Sequence, residues 1–421
     1  MDIALFIGKV WPEPASSAAG TRMVQLLEAF AEQGYQLYFG SAAAQSAHSL
    51  QAETLGAKAF PVELNSDNFN KQLATLNPDI VVFDRFTTEE QFGWRVAENC
   101  PQAIRILNSE DLHFLRNGRE KALKENKENA GEHLKNSVTM REIASILRCD
   151  LTLIISSYEI KLLEEKFQLN PQLLFYLPFL FKPITGEQSQ LWREYHERED
   201  FIFIGNFLHA PNADAALYLK KEIWPLIRAI KPEARLRLCG AYAGSEITEL
   251  HKPSEGFMVE GRVKNSGEAL HKARVCLAPL RAGAGLKGKV AEAMMNGTPS
   301  VCSSIAAEGL ATDDTWPGII ADNSTEFARA AVLLYSNKEL WNKSQQKISR
   351  TFNAVFNRKK HLQEFFSTLD QLRNNIMTHR NNNFYGAMLM HHTMHSSRWL
   401  SKYIIAKNQL KRSENEKTSD R

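Results

Sequence analysis

The stretch Val275-Cys276-Leu277-Ala278-Pro279-Leu280-Arg281-Ala282-Gly283-Ala284-Gly285-Leu286-Lys287-Gly288-Lys289-Val290-Ala291-Glu292-Ala293-Met294-Met295 reads as a buried strand, a glycine-rich turn and a helix. Glycines let backbone N–H groups approach a ligand, and a helix N-terminus presents about half a positive charge to an anion. Lys287 and Lys289 add full charges at that point, which favours a phosphate or diphosphate. Lys289 and Glu292 stand three residues apart and share a helix face, so a carboxylate able to hold a ribose diol lies beside a phosphate-directed ammonium. The competing reading of the same residues is an ordinary loop followed by a surface ion pair.

Outward from this stretch, short β-branched and aromatic runs alternate with helical patterns, the signature of parallel strands joined by helices. In the first half the expected strands are Ile3–Gly8, Gln36–Gly40, Ala59–Val62, Ile80–Asp84, Ala103–Leu107 and Leu151–Ile155, with helices such as Thr21–Gln33 and Glu89–Asn99. A polar stretch, 182–200, reads as a linker. Beyond it the expected strands are Phe201–Gly205, Arg235–Cys239, Gly256–Glu260, Val275–Ala278, Ser300–Cys302 and Gly318–Ile320, with helices at Ala213–Ile230, Gly288–Asn296 and Thr325–Ser336. Right-handed crossovers then imply an α/β protein with two Rossmann-like, doubly wound domains facing across a cleft. We expect domains at 1–185 and 186–355, C-terminal helices and a basic tail over 356–407, and disorder over 408–421.

The chain has 421 residues, 43% hydrophobic and 24% charged, enough to bury two cores and unlike a disordered or fibrous protein. Lys+Arg 51 against Asp+Glu 48 gives +3, which argues against a general nucleic-acid binder. The spacing of the five cysteines suits neither a disulfide scaffold nor a CxxC metal site. With no signal-like N-terminus and no apolar run near the ~18 residues that cross a bilayer, a cytoplasmic location is expected.

Further motifs carry a resemblance. Phe203-Ile204-Gly205-Asn206-Phe207, Pro211-Asn212-Ala213-Asp214-Ala215, Ala278-Pro279-Leu280-Arg281, the run from Gly283 to Glu292, and Ala307-Glu308-Gly309-Leu310 together resemble the nucleotide-binding domain of GT-B glycosyltransferases of the group 1, or family 4, type. Ala18-Ala19-Gly20-Thr21-Arg22 is similar to the glycine loop of that fold's first domain, and the resemblance spans about residues 1–350. It implies transfer of a sugar, with retention, from a nucleoside-diphosphate sugar to a hydroxyl acceptor, in bacterial-type glycan or polysaccharide synthesis and with no metal or other cofactor. Glu292 matches the ribose-binding second Glu of a Glu-x7-Glu pair, whereas the first falls on Ala284. Lys289 is the best match for a basic residue at the diphosphate, with Lys287 and Arg281 next, and Gly20 would let the first-domain loop approach the phosphates. Gly285, Asn206 and His209 complete the expected donor contacts. Asp313-Asp314 is adjacent rather than spaced as a DxD motif and reads as a helix cap.

After the expected strand Ala103–Leu107, Asp111 and His113 are candidates to polarise an acceptor hydroxyl, along with Lys289 as a catalytic group. The alternative makes Asp111 the cap that starts a helix. Asp84-Arg85-Phe86 occupies an equivalent position after its own strand. The charged segment Phe114–Arg148 reads as a solvated helix face or, in the minority reading, an acceptor lid. A glycan or lipid-linked acceptor is the partner class implied. Two other functions remain at this stage: a sugar-nucleotide epimerase or hydrolase on the same scaffold, and a non-catalytic nucleotide-sugar-binding protein, which Ala284 would favour.

Residues 371–421 hold nine Lys/Arg against three Asp/Glu, +6, leaving −3 for the rest. Within them Phe384–Ala406 is a basic, helix-like stretch with apolar positions, suited either to an anionic membrane surface or to packing on the protein itself. His391, His392 and His395 lack an accompanying set of acidic or cysteine ligands and do not argue for a metal.

Overall fold

The computed structural model describes residues 2–14, 17–46, 48–127, 130–310 and 316–419, without the side chains of 392–395, 397 and 411–419. Strands β1 (Ile3–Gly8), β2 (Gln36–Ser41), β3 (Ala57–Ala59), β4 (Ile80–Asp84), β5 (Ile104–Asn108), β6 (Leu151–Ile154) and β7 (Leu174–Tyr176) form one parallel sheet, ordered β3-β2-β1-β4-β5-β6-β7. A second parallel sheet contains β8 (Glu199–Ile204), β9 (Leu236–Cys239), β10 (Phe257–Gly261), β11 (Ala273–Ala278), β12 (Ser300–Cys302) and β13 (Gly318–Ile320), ordered β10-β9-β8-β11-β12-β13. Central strands are buried on both faces by helices, which is why Ile80–Phe83 of β4 and Val275–Ala278 of β11 read as unbroken apolar runs rather than alternating ones. Each sheet reverses its strand order once, at β1/β4 and at β8/β11. Crevices beyond the carboxyl ends of strands at such switch points are where doubly wound sheets bind ligands.

Several boundaries differ from expectation for local reasons. The third strand is Ala57–Ala59 rather than Ala59–Val62, because Pro61 has no N–H to continue the ladder. The edge strand β7, only three residues long, carried no signal of its own. The helix expected at Ala213–Ile230 starts at Ala210 and passes through a π segment, Leu219–Ile223, just before Pro225, whose ring cannot take the normal helical hydrogen bond. The 182–200 linker contains a helical turn, Gly186–Gln190, held by a Thr185/Gln188 capping box.

After the second sheet, helix Lys338–Val355 packs on that lobe through Trp341, Ile348 and Phe352. Helix Arg358–Asn374 then crosses to the first lobe, where Leu362, Phe365, Leu369 and Leu372 join Leu27 and Phe30 in its core. The last helix, Phe384–Ser419, lies on helices Phe86–Asn99 and Ser137–Arg148. It runs through 408–419, where disorder was expected; Gln, Leu, Lys, Arg and Glu in that stretch are all good helix formers. All five cysteines are free and buried.

Candidate functional site at the lobe interface

β11 delivers the glycine-rich loop to the interface between the lobes, and helix Gly288–Met295 leads away from it. Gly285 sits at φ +66°, where a Cβ would also stand 3.0 Å from Asp111 Cβ in the first lobe, so backbone conformation and close approach both require glycine. Lys287 is buried, donates to the Gly285 carbonyl at 2.8 Å and lies 3.8 Å from Glu308 Oε2. Burial lowers its pKa to about 8, with Glu308 opposing the shift. Lys289 is bonded to Asn212 Oδ1 and sits 4.6 Å from the centre of the Phe203 ring. Burial pushes its pKa down to about 7. One turn along, burial raises the Glu292 carboxyl, which accepts a hydrogen bond from the Ser266 hydroxyl.

Other expected donor residues are placed differently. Arg281 forms a fork with Asp214 at 3.0 and 2.6 Å and stacks on Tyr218, so its guanidinium is committed within its own lobe rather than held out to a diphosphate. Asn206 shapes the turn after β8: its Oδ1 accepts from the Leu208 N–H at 2.9 Å and its carbonyl from Asn212 Nδ2 at 2.7 Å. Through Asn212 that turn positions Lys289. His209 precedes helix Ala210–Tyr218 and is held below the usual histidine range by burial and then by Arg116, with Asp111 opposing. Both of those residues belong to the first lobe, so His209 looks across the gap.

On the first-lobe side, Asp111 does not cap the helix that begins at His113. That service comes from Glu142, which accepts from the His113 and Phe114 N–H groups at 3.1 and 3.0 Å and from His113 Nδ1 at 3.2 Å. Asp111 instead binds Arg116; burial would raise its pKa, but Arg116, His113, Arg85 and Lys287 outweigh it and hold the carboxylate ionised. Gly20 was expected in an open loop and lies in the first turn of helix Ala18–Glu32, where a Cβ would come within 2.4 Å of the Glu13 backbone. Its role there is packing. The neighbouring Arg22 is fully buried and bonds Asn108 Oδ1 at 2.8 Å and the Leu177 carbonyl at 2.7 Å. At the ends of β4 and β5, Arg85 and Glu110 both adopt positive φ, +70° and +60°. Such strain persists only where the surroundings enforce it. Glu110 accepts from Asn108 Nδ2 at 2.7 Å, and burial, reinforced by Asp84, raises its pKa to about 8.

The lobes meet through first-lobe residues that local sequence did not single out. Glu159, buried in the first lobe, accepts from the Gly285 N–H at 2.8 Å and the Leu112 N–H at 3.0 Å, and burial raises its pKa to about 7. Arg119 reaches from helix His113–Lys124 to Glu308, with Nη1···Oε2 at 2.8 Å, and to the Gly283 carbonyl at 2.7 Å. The segment read as a solvated face therefore supplies an inter-lobe clamp, with Glu308 as its partner. Ala284 packs against the first-lobe core, so the position of the missing carboxylate is an apolar contact. A Cβ on Gly288 would stand 3.0 Å from Ala18 Cβ, which brings the N-terminal turns of two helices, one from each lobe, together. Among the described residues no group of three or more His, Cys, Asp or Glu could hold a metal ion, and Asp313-Asp314 lies outside those residues.

Residues 198–337 match the family Glycosyl transferases group 1. No curated protein sequence matches the chain. Among solved structures, Anabaena HepE in complex with UDP aligns at TM-score 0.66 and 12% identity, over 88% of this chain and 100% of its own. A glycosyltransferase from Rickettsia africae aligns at 0.63 and 9%, over 89% and 99%. The pneumococcal O-GlcNAc transferase GtfA in complex with UDP and GlcNAc aligns at 0.64 and 11%, over 88% and 99%. These likenesses establish the two-lobed GT-B fold, and the second lobe carries the group 1 sequence match across its whole sheet. The chain thus has GT-B architecture, and its second lobe, over residues 198–337, is similar in sequence to group 1 glycosyltransferases.

Proposed function

We propose that this enzyme transfers a sugar, with retention, from a uridine-diphosphate-type donor to a hydroxyl of a glycan or lipid-linked acceptor in bacterial-type glycan synthesis on the cytoplasmic side. Residues 186–355 would serve as the donor lobe and 1–185 as the acceptor lobe. One observation carries the reading: Lys289 and Glu292 lie together on a helix whose N-terminal turn faces the other lobe, and the burial that lowers the lysine leaves an ammonium in want of an anion. A diphosphate supplies that anion, and the Glu292 carboxylate exchanges the Ser266 hydroxyl for a ribose diol. As the glycosidic bond breaks, negative charge gathers on the departing nucleoside diphosphate. A fixed cation and oriented helix N–H groups stabilise that charge more than they stabilise the ground state, with no metal required by the scheme. Lys287 holds the glycine loop in shape through Gly285. Asp111 and His113, fixed by Arg116 and Glu142, stand at the acceptor side. UDP-bound neighbours support the uridine assignment, and the resemblance to family 4 supports retention.

A panel of nucleotide sugars incubated with candidate acceptors tests the reading. Nucleoside diphosphate should be released in proportion to acceptor consumed. Release without acceptor would make the chain a hydrolase, and a ligand-induced thermal shift without turnover a binding module. Wild-type donor affinity in both Lys289→Ala and Glu292→Ala would overturn the site.

A further inference from the structure

The helix Phe384–Ser419 has two unlike faces. Its inner face is fixed to the first lobe: Gly386 lies so close to the Leu147 carbonyl that a Cβ would come within 2.2 Å, Ser401 Oγ accepts from Arg95 Nη2 at 2.7 Å, and Arg398 pairs with Glu98 at 3.0 Å. At about 100° per residue these anchors fall on one side of the helix. Phe384, Tyr385, Met388, Trp399, Leu400, Tyr403 and Leu410 fall within about 160° of arc on the other side, and they are 41 to 70% exposed. Lys402 and Lys407 stand at the two edges of this stripe, with the Lys402 ammonium 5.5 Å from the Trp399 ring.

We propose that this outward stripe docks the enzyme on an anionic lipid surface, lying in the interface plane. Three features select lipid. An aromatic-rich apolar face bordered by lysines is the composition of helices that settle at the headgroup boundary, where rings enter the interface and ammonium groups meet lipid phosphate. The segment 371–421, nine Lys/Arg against three Asp/Glu, is attracted to a negative surface. A second copy of the chain, by contrast, would bring the like-charged edges of two stripes together. Among the described residues no helix is long and apolar enough to cross a membrane, in keeping with a helix that lies on one. The surface deepens the proposed function by resting on its acceptor lobe: the helix is bolted to the first lobe, so the enzyme meets a membrane-borne acceptor from that side.

Co-sedimentation of the full-length chain with vesicles tests the proposal. Binding is expected to vesicles of phosphatidylcholine with phosphatidylglycerol and at least tenfold less to phosphatidylcholine alone. Trp399→Ser combined with Tyr403→Ser should lose most vesicle binding, and Lys402→Glu combined with Lys407→Glu should remove the preference for anionic lipid. All four side chains are exposed, so melting temperature and UDP affinity should hold in both variants. That second readout separates failure of the docking surface from failure of the donor site. Wild-type protein that stays in the supernatant with anionic vesicles would overturn the proposal. So would an aromatic variant that binds them undiminished, or one whose main change is loss of a dimer in sedimentation.

Discussion

The two walls of the interface are built on opposite plans. On the second lobe, Lys287, Lys289 and Glu292 come from six consecutive residues, and one turn of helix sets their spacing. On the first, the candidate residues are held largely from far along the chain: Asn108, the partner of Glu110, is bonded by Arg22, Glu142 holds His113 from 29 residues away, and Glu159 holds Leu112 from 47, while Asp111 is tied locally to Arg116. A local wall is readable and tolerates drift elsewhere. A long-range wall depends on the whole sheet, and Glu159 and Arg119 tie it to the glycine loop of the other lobe.

The sharpest way to break that comparison is Lys289→Ala. If the readable wall alone binds the diphosphate, kcat/KM should fall by about 100-fold or more, as for loss of one fixed charge at a transition state. A loss below about threefold in steady-state kinetics would move the donor elsewhere. The pH profile comes next in size. Burial places the free-enzyme Lys289 near 7, so its ammonium is lost as pH rises through that value. A bound diphosphate favours the charged form, so donor binding takes up a proton above pH 7, and affinity should decline by up to about tenfold per pH unit over the next two units. Calorimetry in buffers of different ionisation enthalpy would register the proton, and Lys289→Arg should flatten the profile.

Glu159→Ala probes the other wall. It leaves the Leu112 and Gly285 N–H groups without their acceptor and should cost about 1–3 kcal/mol in chemical denaturation. It should also raise hydrogen exchange in the glycine loop while leaving UDP affinity within a few-fold. Unchanged exchange at Gly285 would show that the lobes are joined by other contacts. The smallest effect is expected for Arg281→Ala. Its fork with Asp214 is partly exposed, so stability should move by less than about 1 kcal/mol and donor affinity by less than about threefold. A large loss of affinity would return Arg281 to the diphosphate.

How much of this was legible varies with the range of the interaction that fixes each residue. The strand–glycine loop–helix unit around Gly285 could be read because its period, its glycines and its lysines are all local. Asp111 looked like a helix cap because an acidic residue stands just before a helical pattern, but a glutamate two helices later takes the position. Gly20 looked like a loop glycine; only the backbone of Glu13 folding over it shows that it fills the first turn of a helix. Arg119 looked solvated because its partners, Glu308 and Gly283, lie 189 and 164 residues away. The tail was read as either membrane-facing or self-packing; it packs on the first lobe along one face and leaves an exposed apolar stripe along the other.

From the sequence alone came the α/β class, the paired sheets and the lysine–glutamate helix, because apolar periodicity and glycine geometry act between near neighbours. Tertiary structure alone decided which charges remain available to a ligand. It fixed Arg281 within its lobe, turned Glu308 into a clamp partner and set Glu159 against the glycine loop. A side chain's charge is written in the chain, but its burial and its partner are properties of the packed interior, and those two set its pKa and its freedom to bind.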